Sequence, residues 1–141
     1  MIRKGTAVWE GGLKNGKGAV STESGTLFKT PYSFVTRFEN VKGTNPEELI
    51  AAAYAACFSM ALSGELGKAN VEPQSVATNA DLTIEKLETG WTVTEIHLNV
   101  SAKIPGADPA AFQKAAQGAK EGCPISKLLK AAKITMDAKL A

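Results

Sequence analysis

The feature that most constrains this chain is the uncharged run Leu49-Ile50-Ala51-Ala52-Ala53-Tyr54-Ala55-Ala56-Cys57-Phe58-Ser59-Met60-Ala61-Leu62, which has almost no polar face. Directly before it stands Thr44-Asn45-Pro46-Glu47-Glu48. Asn45 is placed to cap a helix, Pro46 suits the first helical position, where no N–H is needed, and the two acids face the positive end of the helix dipole. The pattern predicts a helix from about Pro46 to Gly67. A helix that is apolar all round must be buried all round, and a chain of 141 residues can hardly enclose one of that length alone. The alanines permit close backbone approach, so the helix is expected to pack against its copy in a homodimer.

The length suits one domain, residues 1–141, able to bury roughly two-thirds of its unfolded surface without metal or disulfide staples. The formal charge of +2 comes from interspersed acids and bases, with no block of one sign to suit nucleic acid. Met1-Ile2-Arg3-Lys4-Gly5-Thr6 lacks the apolar stretch of a signal peptide, and no run of about 18 consecutive apolar residues offers a membrane span. The expected compartment is a reducing cytoplasm, with no membrane partner. In that setting two cysteines point to redox chemistry rather than to a permanent cross-link.

Glycine turns and alternation divide the remainder. Thr6 to Glu10 and Ala19 to Ser21 read as a hairpin around Gly11 to Gly18. Tyr32 to Glu39 reads as a third strand, with Tyr32, Phe34, Thr36 and Phe38 on one face and Arg37 on the other. After Pro73, alternation through Val76, Thr78, Ala80, Leu82 and Ile84, then through Ile96, Leu98, Val100, Ala102 and Ile104, predicts a second hairpin turning at Thr89-Gly90. Asp108-Pro109 starts a helix to about Glu121, ended by Gly122, and a short helix begins at Pro124. Ile134, Met136, Ala138 and Leu140 alternate as a last strand. The fold class is α+β, with strands segregated at both ends of a buried helix.

Cys57, in mid-helix on an apolar surface, reads by itself as a small buried hydrophobe. Cys123 is placed differently. In Gly122-Cys123-Pro124 the proline holds it extended, where its sulfur can meet the N–H groups of the coming turn, either as a thiolate or as a plain cap. Thiol chemistry needs the thiolate, and an unperturbed pKa of about 8.5 leaves only a few per cent ionised at pH 7, so a nearby cation is required. Arg37 is the candidate, with its permanent charge and forked donors. Glu47 is the candidate carboxylate to aim it, although Glu47 and Glu48 equally suit a first turn as dipole-matching acids. Glu47 precedes Cys57 by ten residues, roughly 15 Å along the helix, so it reaches that sulfur only across an antiparallel helix pair, from a second chain.

Other chemistries find little footing. His97, among Glu95, Asn99 and Ser101, reads as solvated, and one histidine with two distant cysteines is a poor metal set. Gly16-Lys17-Gly18 lacks the spacing of a nucleotide loop, and Ser63-Gly64 lacks the G-x-S-x-G elbow. Lys127, Lys130 and Lys133 read as a solvated face. No cofactor is expected. A binding module, with Phe58, Phe112 and Leu128 lining an apolar pocket, and a structural dimer with inert thiols are the alternative readings.

Gly43-Thr44-Asn45-Pro46-Glu47-Glu48-Leu49, running into Ala55-Ala56-Cys57-Phe58-Ser59-Met60-Ala61-Leu62, and then Gly122-Cys123-Pro124-Ile125-Ser126, resemble the osmotically inducible protein C family and its organic hydroperoxide resistance relatives. The likeness extends from Trp9-Glu10-Gly11 and Ser21-Thr22-Glu23-Ser24-Gly25 to the last strand and is greatest to the osmotically inducible branch. It implies an intertwined homodimer, with antiparallel sheets wrapped around central helices. It also implies a peroxidase that takes organic hydroperoxides in preference to hydrogen peroxide and is re-reduced by a dithiol such as a dihydrolipoyl protein. By position it makes Cys57 the peroxidatic cysteine, Cys123 the resolving cysteine that closes a disulfide with it, Arg37 the activating arginine and Glu47 the arginine's partner.

Overall fold

The computed structural model describes residues 1–39 and 41–140. They fall into two compact units, Met1–Leu49 and Ile50–Ala141.

In the first unit, β1 (Gly5–Glu10) and β2 (Lys17–Thr22) form the expected antiparallel hairpin, and β3 (Thr30–Tyr32) pairs with the other edge of β2. Gly18 is required where it stands, because a side chain there would collide with the rings of Trp9 and Tyr32, whose centroids lie 5.5 Å apart.

The strand expected from Tyr32 to Glu39 is not formed. β3 stops at Tyr32, and Phe34–Phe38 is a short helix, α1. Ser33 and Thr36 build a capping box: the Ser33 hydroxyl accepts from the Thr36 N–H, and the Thr36 hydroxyl accepts from the Ser33 N–H at 2.9 Å. The spacing Phe34/Phe38 satisfies a helical face as well as a strand face, and their rings sit 5.0 Å apart as an i,i+4 pair. Local capping decides between the two readings. The Thr36 hydroxyl also donates to the Thr44 carbonyl, and Asn45 Nδ2 donates to the Thr36 carbonyl, which ties α1 to the segment entering the long helix.

That helix, α2 (Pro46–Gly67), begins as expected, with Asn45 Oδ1 accepting the Glu48 N–H at 2.8 Å. In the second unit its stripe Tyr54, Phe58, Leu62 and Leu66 is buried, at i,i+4 spacing. Burial is not all round within one chain, for Met60 is 77% exposed and Ile50 36%. α2 is also long and apolar enough to cross a bilayer by length and composition, which corrects the expectation that no such segment exists. A few polar residues interrupt its apolar run without making the average of the helix polar. A core helix has the same length and composition, and the buried stripe of α2 is a core contact.

The stripe packs on the inner face of a three-stranded sheet, ordered β4 (Ser75–Leu87), β5 (Gly90–Lys103), β6 (Lys133–Leu140). β4 and β5 form the second hairpin, with Thr78 facing Val100, Ala80 facing Leu98 and Leu82 facing Ile96, and with Gly90 at φ +115° in the turn. The sheet is not wholly antiparallel, since β6 runs parallel to β5. A parallel return needs a crossover of a dozen or more residues, and α3 (Pro109–Gly122) with α4 (Pro124–Leu128) supplies it. Phe112, Ala116 and Ala119 of α3 complete the core with Ile96, Leu98 and Ala102.

Candidate active site

In the first unit, α1 presents Arg37 to Glu47 in the first turn of α2. Arg37 Nη2 donates to Glu47 Oε1 at 2.7 Å, and Nε reaches Oε1 at 3.0 Å and Oε2 at 3.2 Å, a forked arrangement that holds the guanidinium plane. The Phe38 ring lies 5.0 Å from Arg37 Cζ and supports its other face. The Arg37 side chain is 38% exposed and the Glu47 side chain 12%. Gly43 makes the approach of α1 possible: a Cβ there would come within 2.6 Å of Thr36 Cγ2. Beside the guanidinium, Trp9, Leu13, Tyr32, Phe34 and Phe38 line a largely apolar hollow of about 220 Å³.

In the second unit, Cys57 and Cys123 meet. Both are free thiols, and their sulfurs lie 2.8 Å apart although 66 positions separate them in the chain. Cys57 is half-buried in mid-α2, packed against the core. Cys123 is fully buried at the corner between α3 and α4, held extended (φ −57°, ψ 127°) by Pro124. Burial, followed by the neighbouring Cys123 thiol, pushes the Cys57 pKa up, and the Ile125 N–H opposes this only in part. Cys123 moves the other way. Burial alone would raise it, but the Cys57 thiol, the N–H groups of Ser126 and Ile125 and the Ser126 hydroxyl together bring it below an ordinary thiol. The backbone groups face the sulfur without closing a full capping hydrogen bond. The Cys123 thiol donates to the Cys57 sulfur. More donors face Cys123 than Cys57, and the two pKa values move apart for that reason. Among the described residues of this unit, none of the groups acting on the Cys57 sulfur is a cation.

Tyr54 and Ser126, which the sequence reading did not single out, form a second contact beside the sulfurs. Their buried hydroxyls lie 2.8 Å apart. A signal was present in the sequence: Tyr54 carries a polar tip in an apolar helix, three residues before Cys57, and Ser126 is three residues after Cys123.

Other sequence candidates lie elsewhere. Phe58 and Phe112 are core residues and Leu128 is 75% exposed, so they do not line a common pocket. His97 is not simply solvated: its ring nitrogens bond Thr135 and, at 3.1 Å, Asp137 across the β5–β6 pair. Lys127, Lys130 and Lys133 do not share a helix, since α4 ends at Leu128 and Lys133 opens β6, where it pairs with Glu95 at 3.4 Å. Among the described residues no three His, Cys, Asp or Glu side chains gather as metal ligands.

Residues 39–139 match the family described as OsmC-like protein. Over 138 residues, 98% of this chain and 96% of the relative, the sequence is 54% identical to the Escherichia coli (strain K12) protein named Peroxiredoxin OsmC. The chain belongs to the OsmC family. This OsmC-family chain is also 33% identical to the Organic hydroperoxide resistance protein of Xanthomonas axonopodis pv. citri over 85 residues, 60% of this chain and 58% of that protein. Among solved structures, the Organic Hydroperoxide Resistance Protein OhrB of Bacillus subtilis matches with a TM-score of 0.72 at 25% identity, covering 96% of this chain and 98% of that one. The OsmC-family α+β fold therefore brings the two cysteines together in one unit and pairs Arg37 with Glu47 in the other.

Proposed function

We propose that this protein is a thiol-dependent peroxidase that reduces organic hydroperoxides, with Cys57 as the attacking sulfur and Cys123 as the resolving one. The observation that carries this is the 2.8 Å approach of two free thiols, from which a disulfide of about 2.05 Å is reached by a small movement. The Cys57 thiolate attacks the outer peroxide oxygen. The O–O bond breaks, the alkoxide takes a proton and leaves as the alcohol, and Cys57 becomes a sulfenic acid. Cys123 then attacks the Cys57 sulfur; the S–S bond forms, the S–O bond breaks, and hydroxide departs as water after taking a proton. A dithiol, such as a dihydrolipoyl protein, opens the disulfide by exchange and is itself oxidised to a disulfide. The names of the relatives support the peroxidase class and the organic peroxide.

The raised pKa of Cys57 means that its own unit does not ionise it. We assign that task to Arg37, aimed by Glu47, with the aromatic hollow beside it suited to the hydrocarbon part of a hydroperoxide. Because the rise along a helix separates Glu47 from Cys57 by roughly 15 Å, the arginine of one chain is proposed to serve the sulfur of a second copy, in a homodimer built on the exposed apolar side of α2. The cytoplasm is the compartment that suits such a thiol cycle.

The test is steady-state consumption of cumene hydroperoxide with a dithiol reductant. Cys57→Ser is expected to abolish turnover while leaving the fold intact. Turnover at the unsubstituted rate refutes the assignment. Peptide mapping after one equivalent of peroxide is expected to find Cys57 joined to Cys123 within one chain.

A further inference from the structure

The hollow beside Arg37 has two walls of different origin. One is the short helix α1, which contributes Phe34, Arg37 and Phe38, and the other is the first sheet, which contributes Trp9 and Tyr32. Trp9 pairs with Gly18, and Gly18 pairs with Tyr32, so two rings flank a residue without a side chain in one row across three strands. The indole is held on several sides. Its Nε1–H donates to the Gly11 carbonyl at 3.1 Å. A Cβ on Gly16 would stand 2.8 Å from Trp9 Cε2, and one on Gly18 would stand 2.8 Å from Cε3, so the two glycines give the ring a bed that any side chain would fill. Tyr32 leans against it at an angle of 44°. Strand register thus fixes this wall before any ligand arrives, and a ligand that fits it loses nothing to reorganisation.

The enclosed space is small. At about 220 Å³ it falls below the range of roughly 300–1,000 Å³ in which drug-sized ligands are buried. Four aromatic rings line it, and such rings take another ring edge-on or offset. A chain longer than the hollow leaves its far part in water, where further methylenes gain nothing.

We propose that Trp9 sets the size of the organic group this protein accepts, favouring compact hydroperoxides, with an aryl or short alkyl group, over long-chain ones. This rests on the peroxidase reading above, in which the hollow beside Arg37 takes the hydrocarbon part of the substrate. Trp9 acts as a wall that limits how much of that part is buried. Leu13 lines the same hollow but is 70% exposed, so bulk can be added there without disturbing the sheet.

The experiment is kcat/KM of the full chain, with a dithiol reductant in excess, for linear alkyl hydroperoxides from ethyl to dodecyl and for cumene hydroperoxide. In the unsubstituted protein kcat/KM is expected to rise about fourfold for each methylene while the hollow fills, and to level off before dodecyl. Trp9→Ala should move the break point to longer chains and lower kcat/KM for cumene hydroperoxide several-fold, since one ring contact is lost. Trp9→Phe, which keeps a smaller ring on the same glycines, should move it by less, and carries the test if the alanine variant fails to fold. Leu13→Trp should move it to shorter chains. The break point compares substrates within one variant, so a general loss of activity or of folded protein does not shift it. A series that never rises, or that still rises at dodecyl in the unsubstituted protein, overturns the proposal. A break point that stays in place in the Trp9 and Leu13 variants overturns it as well. No turnover of any hydroperoxide, cumene hydroperoxide included, is a different result: it removes the peroxidase reading itself and the role of Trp9 with it.

Discussion

Closing the Cys57–Cys123 bond should change the stability of the protein by an amount that follows from the chain path. The two cysteines are 66 positions apart, and a cross-link spanning that distance removes loop-closure entropy from the unfolded chain worth about 4 kcal/mol at 25 °C. The folded state should give little of this back, because its sulfurs already lie 2.8 Å apart in the reduced form. At about 2.1 cal/mol/K per residue, unfolding 141 residues has an entropy near 0.3 kcal/mol/K, so Tm should rise on the order of 10–15 °C on oxidation. The assay is thermal and urea unfolding of the reduced protein and of protein oxidised with one equivalent of peroxide, at one fixed concentration because a dimer would make the midpoints concentration-dependent. Cys57→Ser, treated in the same way, should show no shift. Equal midpoints for the two forms, with mass spectrometry verifying the disulfide, would refute the reasoning: bond formation would then distort the folded state as much as it restrains the unfolded one.

Other perturbations test the remaining parts. Since burial and Cys123 raise the Cys57 pKa, Arg37→Met should lower peroxide turnover at pH 7 and recover it as pH rises above the ordinary thiol range; a pH–rate profile identical to that of the unsubstituted protein removes Arg37 from the mechanism. Glu47→Gln keeps the size of the side chain but loses the charge-assisted fork, and is expected to cut kcat/KM about tenfold with the melting curve nearly unchanged; an unaltered kcat/KM means the arginine needs no aiming. Gly43→Ala forces a methyl within 2.6 Å of Thr36, so α1 must shift and turnover should fall alongside Glu47→Gln, whereas normal turnover would show that α1 tolerates the displacement. Phe58→Ala opens a cavity beneath the cysteine helix and should cost about 3–5 kcal/mol by urea unfolding, while a loss under about 1 kcal/mol would place Phe58 outside the core.

Much of the fold was readable without coordinates because its signals are local. Asn45-Pro46 and Asp108-Pro109 announce their helices through unpaired N–H groups that neighbouring side chains satisfy, and alternation over nine residues in each of β4 and β5 leaves little room for another reading. The segment after Tyr32 departs from its alternation for an equally local reason. Five residues are too few for period two to exclude period 3.6, and the Ser33–Thr36 capping box outweighs the alternation. The parallel direction of β6 was not legible, because a strand's own pattern is the same whichever way its neighbour runs.

The residue types of the site were set by sequence alone: two cysteines, the second held extended by a following proline, and an arginine and a glutamate of opposite charge. Their relations are tertiary. Only the crossover of α3 and α4 brings Cys123 back to mid-α2, and only then do the donors around it act on its pKa. Ionisation and bond formation depend on a few ångströms of through-space distance, and no spacing along a chain specifies a distance between segments 66 positions apart.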